Sequence, residues 1–299
     1  MVAAALVALP FLISPFWTFI AIEVLAFALY AVSFNVLLSY GGMLSFGHAA
    51  FFGVGGYAVA LLMKRFDLAM PLALIGAPFV AAGFALVIGY FSVRRTGIYF
   101  AMLTFAFQML LYTVAMKATG ITGGDDGISG IKAPGLLANP TVYYLFALVV
   151  VAAALYMLAR LVDSPFGYTL RALRVNPRRV QAIGIDLRAH QLATFVITGA
   201  FAGLAGALFA VSSGNVFPSW LNWTASATPI VMALLGGLGS FVGPIIGAAV
   251  YVLLEIFISG HTEYWPLVMG SIIIALLVFL PQGIISLAAL NRRGSVDRH

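Results

Sequence analysis

Two residues of this chain have types and spacing that could do chemistry. Ser45 and His48, in Leu44-Ser45-Phe46-Gly47-His48, stand three apart, and on a helix they would share a face. A hydroxyl beside an imidazole is how a serine nucleophile is activated. The surrounding sequence offers no oxyanion arrangement and no buried His or Asp to orient the base, so the expectation for His48 is hydrogen-bonded packing and no residue is assigned to catalysis. Asp125 and Asp126 lie side by side among Gly123, Gly124, Gly127 and Gly130. Adjacent carboxylates on flexible backbone suit calcium, but the spacing is not that of an EF-hand loop. No metal is expected there, and the pair fits a solvated turn or a contact for an external protein. Glu23 and Glu255 are costly inside a membrane span unless they face an interior or an interface. Glu255 is close to an external helix end, so interface placement is expected. Asn35 and Gln108 read as interhelical hydrogen-bond partners.

The elements that must position these residues follow from composition. The 299 residues are 63% hydrophobic and 8% charged, with a mean hydropathy of +1.09, whereas about a quarter of a soluble domain is charged. The chain is therefore read as an all-α polytopic membrane protein. No polar stretch approaches the roughly 50 residues of a small independent domain, so residues 1–289 are taken as one transmembrane domain and 290–299 as a cytoplasmic tail. The net charge of +6 comes largely from loop and tail arginines and is read as topology, not as nucleic-acid affinity. The absence of cysteine excludes disulfides, thiolate metal sites and cysteine nucleophiles. Residues 2–13 lack the basic start and small-residue cleavage site of a signal peptide and are read as a short first span.

Crossing the hydrocarbon core takes about 20 apolar residues. Breaks at Pro, Gly and charged residues give about ten spans, near 2–13, 17–39, 46–63, 69–93, 97–118, 141–162, 190–212, 226–238, 243–259 and 264–281. Basic residues of short loops stay in the cytoplasm, which places the arginine-rich 164–189 loop inside. Counting outward puts Arg94 and Arg95 inside, the 119–140 loop outside and the tail, with Arg292, Arg293 and Arg298, inside. Lys64 and Arg65 then fall outside, so either span three is re-entrant or these two side chains snorkel at the external surface. Short, glycine-broken segments point to a substrate path, because irregular backbone at membrane depth survives only under a cover of protein or along a water-filled cavity. On that ground Gly41, Gly42, Ser45, His48, Phe52, Gly53, Gly236, Gly237 and Gly239 are the path candidates. Gly41–Phe46 and Gly236–Phe241 agree at four of six positions, as either a duplicated half or two independent glycine turns would give.

No GxxxxGK[ST] motif occurs, so the chain has no P-loop for ATP, and no midspan ring of charges offers ion coupling. Work must arrive through a contact. The 164–189 loop is built for one: Asn176 can cap a helix, Pro177 suits its first position, and Gly184 can close it. A helix over Pro177–Ile183 is expected, with Val180 and Ile183 on one docking face and Arg178 and Arg179 at its rim. A basic anchor for anionic headgroups is the alternative. After it, Gly199, Gly203 and Gly206 promise close helix packing.

Several ordered stretches resemble the LivM-type permeases of branched-chain amino acid ABC importers: Ser39–Ala58, Thr96–Phe107, Ile121–Ile131, Ala182–Leu208, Met232–Ala248 and Pro281–Ile284. The resemblance covers nearly the whole chain. It implies a type II ABC importer permease fold in a bacterial inner (plasma) membrane, a LivH-type permease partner, two cytoplasmic ATPase subunits and an external (periplasmic) substrate-binding protein, here met by Asp125 and Asp126. It makes Asn176, Pro177, Arg178, Arg179, Val180, Ile183 and Gly184 the ATPase-coupling helix. It implies no cofactor in this chain. Relatives move branched-chain amino acids, urea, amides and aromatic acids. One departure is that such loops often carry an acidic residue shortly before the glycine, where this chain has Pro177, Arg178 and Arg179. An ion-coupled secondary transporter and an intramembrane hydrolase using Ser45 and His48 are the competing readings.

The topology is testable in this cysteine-free chain. Cysteines placed at Ser129 and Ser295 should react with an impermeant thiol reagent from opposite sides of the membrane; labelling from one side overturns it.

Overall fold

The structure is a computed structural model that describes residues 2–279 and 283–285. The expected tail at 290–299, with Arg292, Arg293, Ser295 and Arg298, lies outside them. Thirteen α-helices occur among the described residues. They are α1 (Val2–Leu12), α2 (Pro15–Asn35), α3 (His48–Lys64), α4 (Met70–Ser92), α5 (Ile98–Lys117), α6 (Thr119–Thr122), α7 (Pro140–Val162), α8 (Pro165–Val175), α9 (Pro177–Ala182), α10 (Leu187–Ser213), α11 (Trp223–Gly236), α12 (Gly243–Ser259) and α13 (Trp265–Phe279). Helices α1–α5, α7 and α10–α13 coincide within a few residues with the ten expected spans. Among the described residues, five segments are long and apolar enough to cross a membrane: α2 with its π-helical extension Val36–Tyr40, α4, α5, α7 and α10. Helices α3, α11 and α12 are apolar but shorter.

Local chemistry sets the boundaries. Asn139 Oδ1 accepts from Thr141 N at 2.9 Å at the start of α7, and Asp186 Oδ1 accepts from Arg188 N and Ala189 N at 2.8 and 3.2 Å at the start of α10. These side chains satisfy backbone donors that the first turn leaves free. Pro140, Pro165 and Pro177 follow their caps at a position that tolerates a missing N–H.

Helix α10 is the centre of the bundle and packs against α3, α4 and α2. Its glycines let backbones touch. A Cβ at Gly203 would lie 2.3 Å from Ala81 Cβ, one at Gly206 would lie 1.9 Å from the Phe52 carbonyl oxygen, and one at Gly55 of α3 would lie 2.0 Å from the Gly203 carbonyl oxygen. Close approach through small residues is the usual basis of helix association in lipid, where burying apolar surface adds no driving force. An aromatic cluster fills the adjoining space, with Tyr30 and Phe52 centroids 4.8 Å apart and Phe209 and Trp220 4.9 Å apart.

The ends of the bundle are distinct. At one end Ile128–Ser129 pairs antiparallel with Asn215–Val216, tying the 119–140 loop to the segment after α10. Lys64 Nζ donates to the Ser129 carbonyl there. Arg174 of α8 donates at the opposite end to the Ser39 carbonyl. Helix α3 therefore runs from the α8 end to the far end, where Lys64 meets the 119–140 loop.

Gly206→Ala should lower stability by about 3 kcal/mol or more, because the intruding methyl meets a backbone carbonyl that cannot rotate away. Gly83→Ala, with nothing within 4 Å of the added carbon, should be neutral or stabilising by up to about 1 kcal/mol. Thermal unfolding of the two variants in detergent checks the contrast; equal midpoints would remove the central role of this contact.

Candidate functional site

The 164–189 loop folds into two helices, where the sequence suggested one. Helix α8 begins at Ser164, whose Oγ accepts from Gly167 N at 3.4 Å, and buries Leu170 and Leu173 on one face. Helix α9 begins as expected: Asn176 Oδ1 accepts from Arg179 N at 3.1 Å, and Pro177 follows. It closes at Ala182, with Ile183 as the capping residue and Gly184 left-handed at φ +87°, a conformation that glycine adopts without penalty.

The docking face differs from expectation. Val180 is 6% exposed and turns into the chain itself, whereas Ile183 is 75% exposed. A six-residue helix has to spend one face on its own protein to be held at all, and Val180 is that face. The large apolar side chains left outward are Val175, 85% exposed, Ile183 and Tyr168. Arg178, Arg179 and Gly184 are exposed around them. Arg171 forms an ion pair with Asp163 at 3.6 Å, a partly solvated contact of small energetic weight.

Ser45 and His48 do not form a dyad. Ser45 precedes α3, so the two do not share a helical face. Ser45 Oγ accepts from Gly47 N at 3.2 Å, and His48 Nε2 is 2.9 Å from Ser33 Oγ. The His48 ring stacks on Tyr30 at 5.5 Å and is fully buried. His48 is a packing residue, and its partner lies in α2, fifteen residues away. Phe52 belongs to the aromatic cluster, and a Cβ at Gly53 would lie 2.6 Å from the Leu221 side chain. Of the path candidates, Gly42 borders a cavity of about 440 Å³ at the α8 end, shared with Met43, Leu44, Phe46, Arg95 and Gln191. Ser45, His48 and Phe52 are instead enclosed in packed protein.

The second glycine-rich stretch lies against the end of α2, just before the first. Ser39 Oγ accepts from Gly239 N at 3.3 Å and donates to Asn35 Oδ1 at 2.6 Å, while Asn35 Nδ2 donates to the Ser240 carbonyl at 3.0 Å. Gly237 and Gly239 have φ of +115° and +87°, and a Cβ at Gly236 would lie 1.8 Å from the Gly243 carbonyl. Gln108 fulfils its expectation: its Nε2 donates to the Leu221 and Asn222 carbonyls at 3.0 and 2.8 Å, and its Oε1 accepts from Ser226 Oγ at 2.8 Å. Ser226 Oγ in turn accepts from Ala49 N at 3.1 Å, so a side chain of α11 serves the free N–H groups at the start of α3. Glu23 and Glu255 are half-buried and within electrostatic reach of each other across the α2–α12 contact. Asp125 and Asp126 are exposed in a single 3₁₀ turn, Gly124–Asp126, at the far end. Ser33, Ser39, Arg174 and Ser226 carry these contacts without any signal in the sequence, since isolated serines and loop arginines are common and their partners are remote.

Comparison with known proteins agrees with this architecture. A family model described as branched-chain amino acid transport system / permease component matches residues 16–277. The chain is 29% identical to the high-affinity branched-chain amino acid transport system permease protein LivM of Escherichia coli (strain K12), over 93% of this chain and 72% of that one. It is 25% identical to LivH of the same strain, over 87% of this chain and 91% of that one. It also aligns with PsaBC from Streptococcus pneumoniae in complex with Fab, at a TM-score of 0.49 and 16% identity over 93% of this chain and 95% of that one. With a match spanning nearly every helix, this chain belongs to the permease-component family of branched-chain amino acid transport systems.

Proposed function

We propose that the chain is one permease subunit of an ABC importer in a bacterial inner membrane, with the 164–189 loop in the cytoplasm and the 119–140 loop and Asp125–Asp126 turn facing an external substrate-binding protein. A LivH-type permease completes the translocation path, and two ATPase subunits supply the work. The solute is a branched-chain amino acid or a related small polar molecule such as urea, an amide or an aromatic acid. The observation that carries this reading beyond the family match is the α8–α9 unit. It presents Val175 and Ile183 to solvent at one end of a bundle whose sequence contains no nucleotide-binding motif, which is how an amphipathic helical segment offers itself to a groove. Arg178 and Arg179, exposed at its edge, would steer assembly and make it sensitive to salt.

The Gly237–Gly239 turn is the moving part of the path, and Gly53 on the rigid α3 supplies the close approach to Leu221 that the path needs. Leucine at Gly53 would drive into Leu221, and any side chain at Gly237 meets an unfavourable φ. Both Gly53→Leu and Gly237→Leu should leave the chain inserted while lowering uptake; normal uptake in both would place the gate elsewhere.

Replacing Val175 and Ile183 together by Asp should release the ATPases. Two apolar anchors worth about 2 kcal/mol or more in a docked interface correspond to roughly thirtyfold weaker binding. Co-purification of the ATPases and vesicle uptake are the measurements. If the ATPases stay bound and uptake persists, the unit is a membrane-surface anchor and not a docking site.

A further inference from the structure

Ser39 is held from two sides. Its carbonyl accepts from Arg174 Nη1 of α8. Its hydroxyl accepts from Gly239 N and donates to Asn35, whose amide reaches the Ser240 carbonyl. One residue thus links the helix next to the docking face with the loop between α11 and α12.

The surrounding backbone is shaped for this grip. Val36–Tyr40 forms a π-helical turn at the end of α2, closed by Gly41 N to the Val36 carbonyl at 3.1 Å and Met43 N to the Leu37 carbonyl at 3.1 Å. Such one-turn π segments recur at functional sites. Gly42 has φ +67°, and a Cβ there would lie 2.9 Å from Arg174 Cγ, so the arginine stem rests on bare backbone. Three residues earlier, on the same face of α8, the Arg171 guanidinium covers the Tyr40 ring at 5.0 Å and its Nη2 donates to the Val162 carbonyl at 3.3 Å. Helix α8 is therefore clamped to the π turn by two arginines, and the π turn is clamped to Gly239–Ser240 by two side-chain hydrogen bonds.

We propose that this is the load path of the transporter. Displacement of the α8–α9 unit is passed by Arg174 to the Ser39 carbonyl, and by the Ser39 hydroxyl and the Asn35 amide to the Gly237–Ser240 loop that begins α12. Arg174 and Ser39 are positioning residues: neither touches nucleotide or solute. The guanidinium suits the task because its planar fork gives a directed, charge-assisted bond to a carbonyl. The loop suits it because Gly239, at φ +87°, has room to move: a Cβ there would meet nothing within 4 Å. This proposal rests on the importer reading above.

The test uses the assembled transporter in proteoliposomes, with solute uptake and ATP hydrolysis measured on the same preparation. Arg174→Ala and Ser39→Ala should retain the ATPases and their hydrolysis while solute moved per ATP falls on the order of tenfold, within the range of ordinary coupling energies. Arg174→Lys, which keeps a charged donor for the Ser39 carbonyl, should recover most of that ratio, a recovery that a purely structural defect would not produce. Ser39→Ala removes a single oxygen and leaves the carbonyl for Arg174, so it serves should the arginine variant fail to fold. Unchanged uptake per ATP in both alanine variants overturns the load path, and so does loss of the ATPases from either one. A wild-type chain that retains no ATPase sinks the importer reading itself, an outcome distinct from a coupled wild type with equally coupled variants.

Discussion

The contact on which the structure depends is the near-touching of backbones where α10 crosses α3. Gly55, Gly203 and Gly206 leave no room for a Cβ between the two helices, and in a lipid environment such close packing replaces the hydrophobic drive that holds a soluble core. Helix α4 closes on the same seam through Ala81 and Ala85, which face Gly203 and Gly199. The three helices form the rigid body against which the broken segments are arranged.

Breaking a helix at membrane depth exposes N–H and C=O groups that must find partners inside the protein. Helix α3 starts late, after the irregular stretch from Gly41 to Gly47, and the consequence is visible at Ala49, whose N–H is taken up by Ser226 of α11 and, through it, by Gln108 of α5. Gln108 accepts from Ser226 through Oε1 and spends its Nε2 donors on the Leu221 and Asn222 carbonyls just before α11. One small polar network thereby compensates two interruptions and fixes α3, α5 and α11 relative to each other. His48 belongs to the same economy: it fills space against Tyr30 and answers Ser33.

At the other extreme of rigidity, the α8–α9 unit touches the bundle through few residues. Leu170, Leu173 and Val180 hold it by burial, Arg171 and Arg174 by directed contacts, while Val175 and Ile183 stay outside. Its contact with the π turn runs through Arg174 and Arg171, and further contacts join α8 to α7 and α10.

Much of this was legible in the sequence because it is local. Span positions follow from runs of apolar residues long enough to cross a bilayer, and the start and stop of α9 follow from Asn176, Pro177 and Gly184, whose preferences act within one turn. Helix α8 also left a signal, Ser164-Pro165 followed by apolar residues at Phe166, Leu170 and Leu173, masked by the arginines among them. What the sequence left open was everything set by remote neighbours. Val180 and Ile183 are equally apolar, and only the packing of α9 on the bundle turned the first inward and the second outward. Ser45 and His48 are close in sequence but bond elsewhere, and Ser39, two residues before the first glycine turn, meets the second at Gly239. Composition and capping chemistry determined which segments are helices and where they end, since those energies are summed over neighbouring residues. The tertiary structure alone decided which polar side chains meet, because a hydrogen bond forms between whichever groups the folded backbones bring within about 3 Å.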